Sequence, residues 1–226
     1  MCTNCMSTGW RPSGAVMAAD DALAMAATPA AACSPDEALA MLVEGNLRYA
    51  GGKMIQRDFS AGRASRALGQ APFAAILGCA DSRVPPELAF DQGPGDLFVV
   101  RLAGNFLTGE GLASLEFGAA VLGTKLILVL GHSSCGAINA ALTALREGND
   151  FPGHISSLVA TIVPGVRPAL EGPAEELESR AIIANVRRTV ERLQQAGPVL
   201  TDLIAKGELK IVGGVYNLAT GRVDLV

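Results

Sequence analysis

The chain contains only two histidines, and one of them, His132, stands in a His-x-x-Cys pattern with Cys135. Two intervening residues in a strand-to-helix turn let an imidazole and a thiolate face the same ion. A second cysteine, Cys79, follows the apolar run Phe73 to Leu77 and opens the pattern Cys-x-Asp-x-Arg with Asp81 and Arg83. Zinc accepts thiolate and imidazole, and a Cys₂His set leaves one tetrahedral position for water or substrate. The nearest further donor is the Asp81 carboxylate. Taken singly, each cysteine reads as inert core packing. Two loaded turns together point instead to a metal site built from Cys79, His132 and Cys135.

Such a site needs both turns at one edge of the fold, and the sequence pattern supplies a way. From Pro72 onward, short apolar runs alternate with helical stretches. Strands are expected at Phe73 to Leu77, Leu97 to Val100 and Leu126 to Leu130, the last an unbroken apolar run typical of a strand buried on both faces. Helices are expected over 109–122, with Leu112, Leu115 and Ala119 on one face, over 136–147, and through Leu177, Ile182, Val186, Val190 and Leu193. Leu209 to Tyr216 and Val223 to Val226 read as a strand pair joined around Gly221. This alternation predicts an α/β fold with a mostly parallel central sheet flanked by helices. Ligands of such sheets bind beyond the carboxyl ends of the strands, where both loaded segments are expected to lie.

The folded domain is expected over 34–226. Ser34-Pro35-Asp36-Glu37 is a capping-box pattern with proline at the first helical position. Leu39, Leu42, Val43 and Leu47 recur at helical spacing before Gly51-Gly52, predicting an N-terminal helical arm. Residues 1–33 read as a poorly ordered tail. Asp20, Asp21 and Pro29 interrupt its Ala-rich stretch, which makes it a poor export signal. Cys2-x-x-Cys5 has no second pair nearby, so tail is the preferred reading over a metal or redox pair.

Composition narrows the partners. A net charge of −4 and 4% aromatic residues leave no basic stripe and no stacking platform for nucleic acid. No uncharged apolar stretch is long enough to span a bilayer. Five irregularly spaced cysteines argue against a disulfide framework and for a reducing compartment. The expectation is a cytoplasmic protein acting on a small molecule, or an exported one if residues 1–33 derive from a targeting segment.

Cys79-Ala80-Asp81-Ser82-Arg83-Val84 and His132-Ser133-Ser134-Cys135-Gly136 resemble the two signature motifs of the β-class carbonic anhydrases, bacterial type. Gly95 to Arg101, Ala103-Gly104-Asn105, Asn185-Val186 and Gly214-Val215-Tyr216 fit the same family. The resemblance implies one Zn²⁺ per subunit and reversible hydration of CO₂ to bicarbonate and a proton, by attack of zinc-bound hydroxide. It implies catalytic roles for Asp81 and Arg83. Paired with Arg83, Asp81 orients the water; unpaired, it becomes a fourth zinc ligand and closes the site. Gly136 and Gln92 are the implied substrate-binding residues, although Gln92 stands one place earlier than the family's usual glutamine, where this chain has Gly93. Asn105 is expected to hold loop backbone, and His154 to flank a helix rather than shuttle protons. The only tryptophan, Trp10, lies in the tail, so no inhibitory bicarbonate pocket is expected. The resemblance further implies a homodimer or homotetramer, with the N-terminal arm packed on its partner. Two alternatives use the same ligands: a carbonyl sulfide or carbon disulfide hydrolase, and a non-catalytic zinc-binding subunit.

Overall fold

The computed structural model describes residues 33–60 and 62–226. The readings made for the tail, including Cys2, Cys5 and Trp10, lie outside the described residues.

Helix α1, Pro35–Ala50, starts where the capping pattern places it. The Glu37 N–H donates to Ser34 Oγ at 3.2 Å, and the Ser34 N–H donates back to the Glu37 carboxylate at 2.7 Å. Ala38, Leu42, Gly45 and Asn46 are buried along one stripe. A side chain at Gly45 would collide with the Phe90 carbonyl, so only glycine lets α1 lie on the short helix Pro86–Ala89. Asn46 then ties α1 down: its Nδ2 donates to the carbonyls of Ala89 and Gly221, and its Oδ1 accepts the Val223 N–H.

A single helical turn, α2 (Arg63–Arg66), precedes strand β1, Ala74–Gly78. There follow α3 (Pro86–Ala89), β2 (Leu97–Arg101), α4 (Gly109–Ala120), β3 (Leu126–His132), α5 (Gly136–Glu147) and α6 (Ile155–Val166). Two 3₁₀ turns lead into α7 (Leu177–Gln194), then α8 (Val199–Ala205), β4 (Lys210–Tyr216) and β5 (Val223–Leu225). The strands form one sheet in the order β2-β1-β3-β4-β5, parallel except for β5, which pairs antiparallel with β4.

Strand β3 is central and buried at every position. Its alternate side chains enter different cores, as the pleat requires. Ile76 and Leu128 join Leu42 and Phe90 beneath α1. Leu77 and Val129 join Leu115, Val186 and Leu200 beneath α4, α7 and α8. A third cluster, centred on Ile138, Ile162 and Ile182, packs α5, α6 and α7 together and includes Cys79 and Cys135. The parallel ladder brings the carboxyl ends of β1 and β3 side by side, with Gly78 opposite Leu130. One expectation is corrected here. His132 is the last residue of β3 rather than a loop residue beyond it, because pairing with β4 continues to Tyr216.

Candidate metal centre

Three elements meet at the carboxyl edge of the sheet. Cys79 leaves the end of β1 and is 5% exposed; its sulfur accepts the Gly104 N–H at 3.2 Å. That approach needs a glycine. Gly104 has φ +83°, and a Cβ there would stand 2.6 Å from Ile162 Cδ1. The Gly104 carbonyl is held in turn by Asn185 Nδ2 of α7 at 2.9 Å.

His132 is completely buried. Its Nδ1 lies 2.9 Å from the Ser133 carbonyl. A carbonyl can only accept, so Nδ1 carries a proton, and in the neutral ring Nε2 presents its lone pair. Nε2 has no hydrogen-bond partner among the described residues. Ser134 then takes a left-handed backbone, φ 56°, which swings Cys135 into the N-cap position of α5. The donor atoms of Cys79, His132 and Cys135 all lie within 4.8 Å of one another.

A buried imidazole lone pair without a donor is costly, and a cation is the group that satisfies it. The surroundings also favour sulfur anions. A hydrogen bond from Cys135 pulls the Cys79 thiol far below its ordinary pKa despite burial, with help from the Gly104 N–H. Cys135 moves up because it donates that bond and is buried, while the amides of Ile138 and Ala137 act the other way. The two thiols therefore ionise unequally, Cys79 first, and a bound cation would favour both as thiolates. The donor set fits a divalent metal.

Asp81 borders the cluster. Arg83 grips it in a fork, Nε to Oδ1 at 2.9 Å and Nη2 to Oδ2 at 2.7 Å, and the Arg83 N–H also donates to Oδ1 at 2.9 Å. These bonds hold the Asp81 carboxyl well below the usual carboxylate range. Its Oδ2 is 3.9 Å from His132 Nε2. Arg83 Nη2 also reaches the Ser134 carbonyl at 3.3 Å, linking the two loaded turns.

The fold thus assembles Cys79, Asp81, Arg83, His132 and Cys135, with Gly136 opening α5 directly behind Cys135 and nothing within 4 Å of where its Cβ would stand. Gln92 is placed elsewhere: buried near Gly45 of α1, it donates Nε2 to the Phe90 carbonyl at 2.9 Å and hydrogen-bonds to none of these residues. His154 is exposed immediately before α6 and makes no side-chain cap. Asn105 is buried with φ 43°; its N–H donates to the Leu102 carbonyl, and its Nδ2 finds no partner among the described residues. Two contributors lacked a role in the sequence reading. Arg101, at the end of β2, donates to the Cys79 and Asp81 carbonyls. Asn185 steadies Gly104. Both stand in stretches that resemble the family, and each is a charged or amide side chain interrupting an apolar pattern.

The family model described as carbonic anhydrase matches residues 74–223, which include every residue of the cluster. Carbonic anhydrase 2 of Mycobacterium tuberculosis is 42% identical over 197 residues, covering 85% of this chain and 93% of the relative. The carbonic anhydrase of Mycolicibacterium smegmatis is 39% identical with the same coverages. Among solved structures, a Coccomyxa β-carbonic anhydrase in complex with acetazolamide superposes with a TM-score of 0.65 at 30% identity, covering 83% of this chain and 86% of that one. One of two tetrameric β-carbonic anhydrases from Sordaria macrospora gives a TM-score of 0.66 at 25% identity, covering 84% and 97%. With the donor set, the sheet order and the sequence in agreement, the chain belongs to the β-class carbonic anhydrases, which are carbonate dehydratases.

Proposed function

We propose that this chain catalyses the reversible hydration of CO₂ to bicarbonate and a proton, using one zinc ion per subunit held by Cys79, His132 and Cys135. The observation that carries the reading is the buried His132 Nε2, which has no hydrogen-bond partner among the described residues and faces two cysteine sulfurs, with an ionised carboxylate 3.9 Å away. Zinc held there would supply a Lewis acid that activates water as a nucleophile.

The protein supplies the rest. Asp81, kept ionised by Arg83, can only accept hydrogen bonds, so it orients a reacting water through that water's own proton. The Arg83 fork occupies both carboxylate oxygens, which supports the state in which Asp81 is not a metal ligand. Gly136 opens α5 beside the cluster, and the positive end of that helix favours a substrate oxygen that gains negative charge. Two thiolate donors offset the ion's charge, so activity rises in mildly alkaline solution rather than peaking at neutrality.

On this reading residues 34–226 form the catalytic domain and the protein works in a reducing cytoplasm. Among the described residues, Cys33, Cys79 and Cys135 are free thiols, and no helix is long and apolar enough to cross a membrane. Met41, Val43 and Leu47 of α1 remain substantially exposed, which suits packing on a second copy in a homodimer or homotetramer. The test is stopped-flow CO₂ hydration on protein of confirmed zinc content, from neutral to mildly alkaline pH. Turnover that climbs with pH is expected. Absence of turnover across the range with zinc bound rejects the reading.

A further inference from the structure

We propose that Arg101 is a positioning residue of the metal centre, setting the direction in which Cys79 and Asp81 leave the backbone. The proposal rests on the metal reading of the Cys79, His132 and Cys135 cluster, and it concerns a residue outside the donor set.

The geometry begins where the sheet stops. The last backbone bond across the β1–β2 ladder runs from the Leu102 N–H to the Gly78 carbonyl. Beyond Gly78 the chain bends into the turn that carries Cys79 and Asp81, and their carbonyls lose the partners a strand would offer. Arg101 is the register partner of Gly78, so its side chain starts level with the mouth of that turn. Its Nε donates to the Cys79 carbonyl at 2.9 Å, and its Nη2 to the Asp81 carbonyl at 2.5 Å. Among the described residues, Asp81 O otherwise accepts only the Val84 N–H, at 3.2 Å.

One rigid, planar guanidinium thus fixes the peptide planes that follow Cys79 and Asp81. Fixing the first aims the Cys79 sulfur, and fixing the second aims the Asp81 carboxylate. The two arginines divide the work. Arg83 grips the carboxylate itself, and Arg101 grips the backbone from which both it and the Cys79 thiol project. Lysine offers no fork and reaches at most one of these carbonyls at a time in fixed geometry.

The experiment compares Arg101→Met and Arg101→Lys with the wild-type chain, each loaded with zinc for turnover and with cobalt for its visible spectrum. Misplacing a reacting group by about 1 Å costs on the order of 100-fold. Arg101→Met is accordingly expected to lower kcat about 10- to 100-fold with KM changed less than about 2-fold. Its sulfur-to-cobalt band should shift while its melting temperature stays near wild type, and Arg101→Lys should fall between the two. Should Arg101→Met fold poorly, the Lys variant carries the same comparison. Wild-type kcat and an unchanged cobalt band in a folded variant overturn the proposal. Wild-type protein that binds cobalt but does not hydrate CO₂ removes the proposed reaction, and the band alone then decides the role of Arg101. Wild-type protein that takes up no cobalt overturns both.

Discussion

Asp81 and Asp91 lie ten residues apart, and both are carboxylates held by arginine, yet the fold uses them in opposite ways. Asp91 has a completely buried side chain and is closed on every side. Arg48 Nε donates to it at 2.6 Å, Arg57 Nη1 holds its other oxygen, and the Ile55 N–H donates as well. Burial opposes its ionisation, but the two guanidiniums outweigh that and hold the carboxyl below its ordinary range. Asp81 is gripped by a single arginine, itself 55% exposed, and keeps 16% of its own side-chain surface open beside His132. A carboxylate with all its acceptor capacity spent can only hold structure together. One that is ionised, oriented and open on one side can meet a substrate.

Removing the metal should produce the largest effect and leave the Asp91 cluster alone. Treatment with a strong chelator is expected to abolish turnover and lower the melting temperature, since metal binding to the folded state alone adds stability. Readdition of zinc should restore both. A metal-free protein with full activity would break the assignment of the cluster.

The next effect separates the two carboxylates. Asp91→Asn should cost about 3 kcal/mol of folding stability, the low end for breaking a buried pair, because both arginines keep part of their side chains in water. Denaturant unfolding measures it. The sign with pH follows from the lowered folded pKa. The ionised form stabilises the fold above the unfolded carboxyl value of about 4, and that contribution fades as pH drops through the lower folded value. Acid should therefore destabilise the wild type more steeply than Asp91→Asn, and parallel acid profiles would remove Asp91 from this role.

Asp81→Asn should do the reverse, lowering kcat about 100-fold while changing stability little, as expected for loss of a group acting on the reacting water. Near wild-type turnover in that variant would make Asp81 a second Asp91. The smallest effect is expected at Asn185→Ala, which leaves the buried Gly104 carbonyl unpaired and costs about 1–3 kcal/mol. Zinc affinity should weaken with it, because the same residue presents its N–H to Cys79. A chelator-competition titration that shows unchanged affinity would uncouple Asn185 from the site.

Much of this was legible in the sequence. The Ser34 capping pattern, the apolar run of β3 and the helix 136–147 came from local signals, because cap chemistry and periodicity act within a few residues. The cluster was legible because Cys-x-Asp-x-Arg and His-x-x-Cys each compress their chemistry into one turn. The partners of Asp91 were not, for Arg48 stands 43 residues away and Arg57 stands 34. Nor was the register that carries β3 on through His132, which depends on β4 lying alongside.

The sequence alone determined which atoms could hold the metal, which strands would carry them, and that both turns would sit at strand ends. Those are consequences of residue type and short-range spacing. Only the tertiary structure decided that Nε2 of His132 is the free nitrogen and that Arg83 grips Asp81. It alone sealed Asp91 while leaving Asp81 open, and it alone placed Arg101 over two carbonyls. Each of these depends on which distant backbone or side chain arrives to satisfy a buried polar group, and the folded chain settles that through long-range packing.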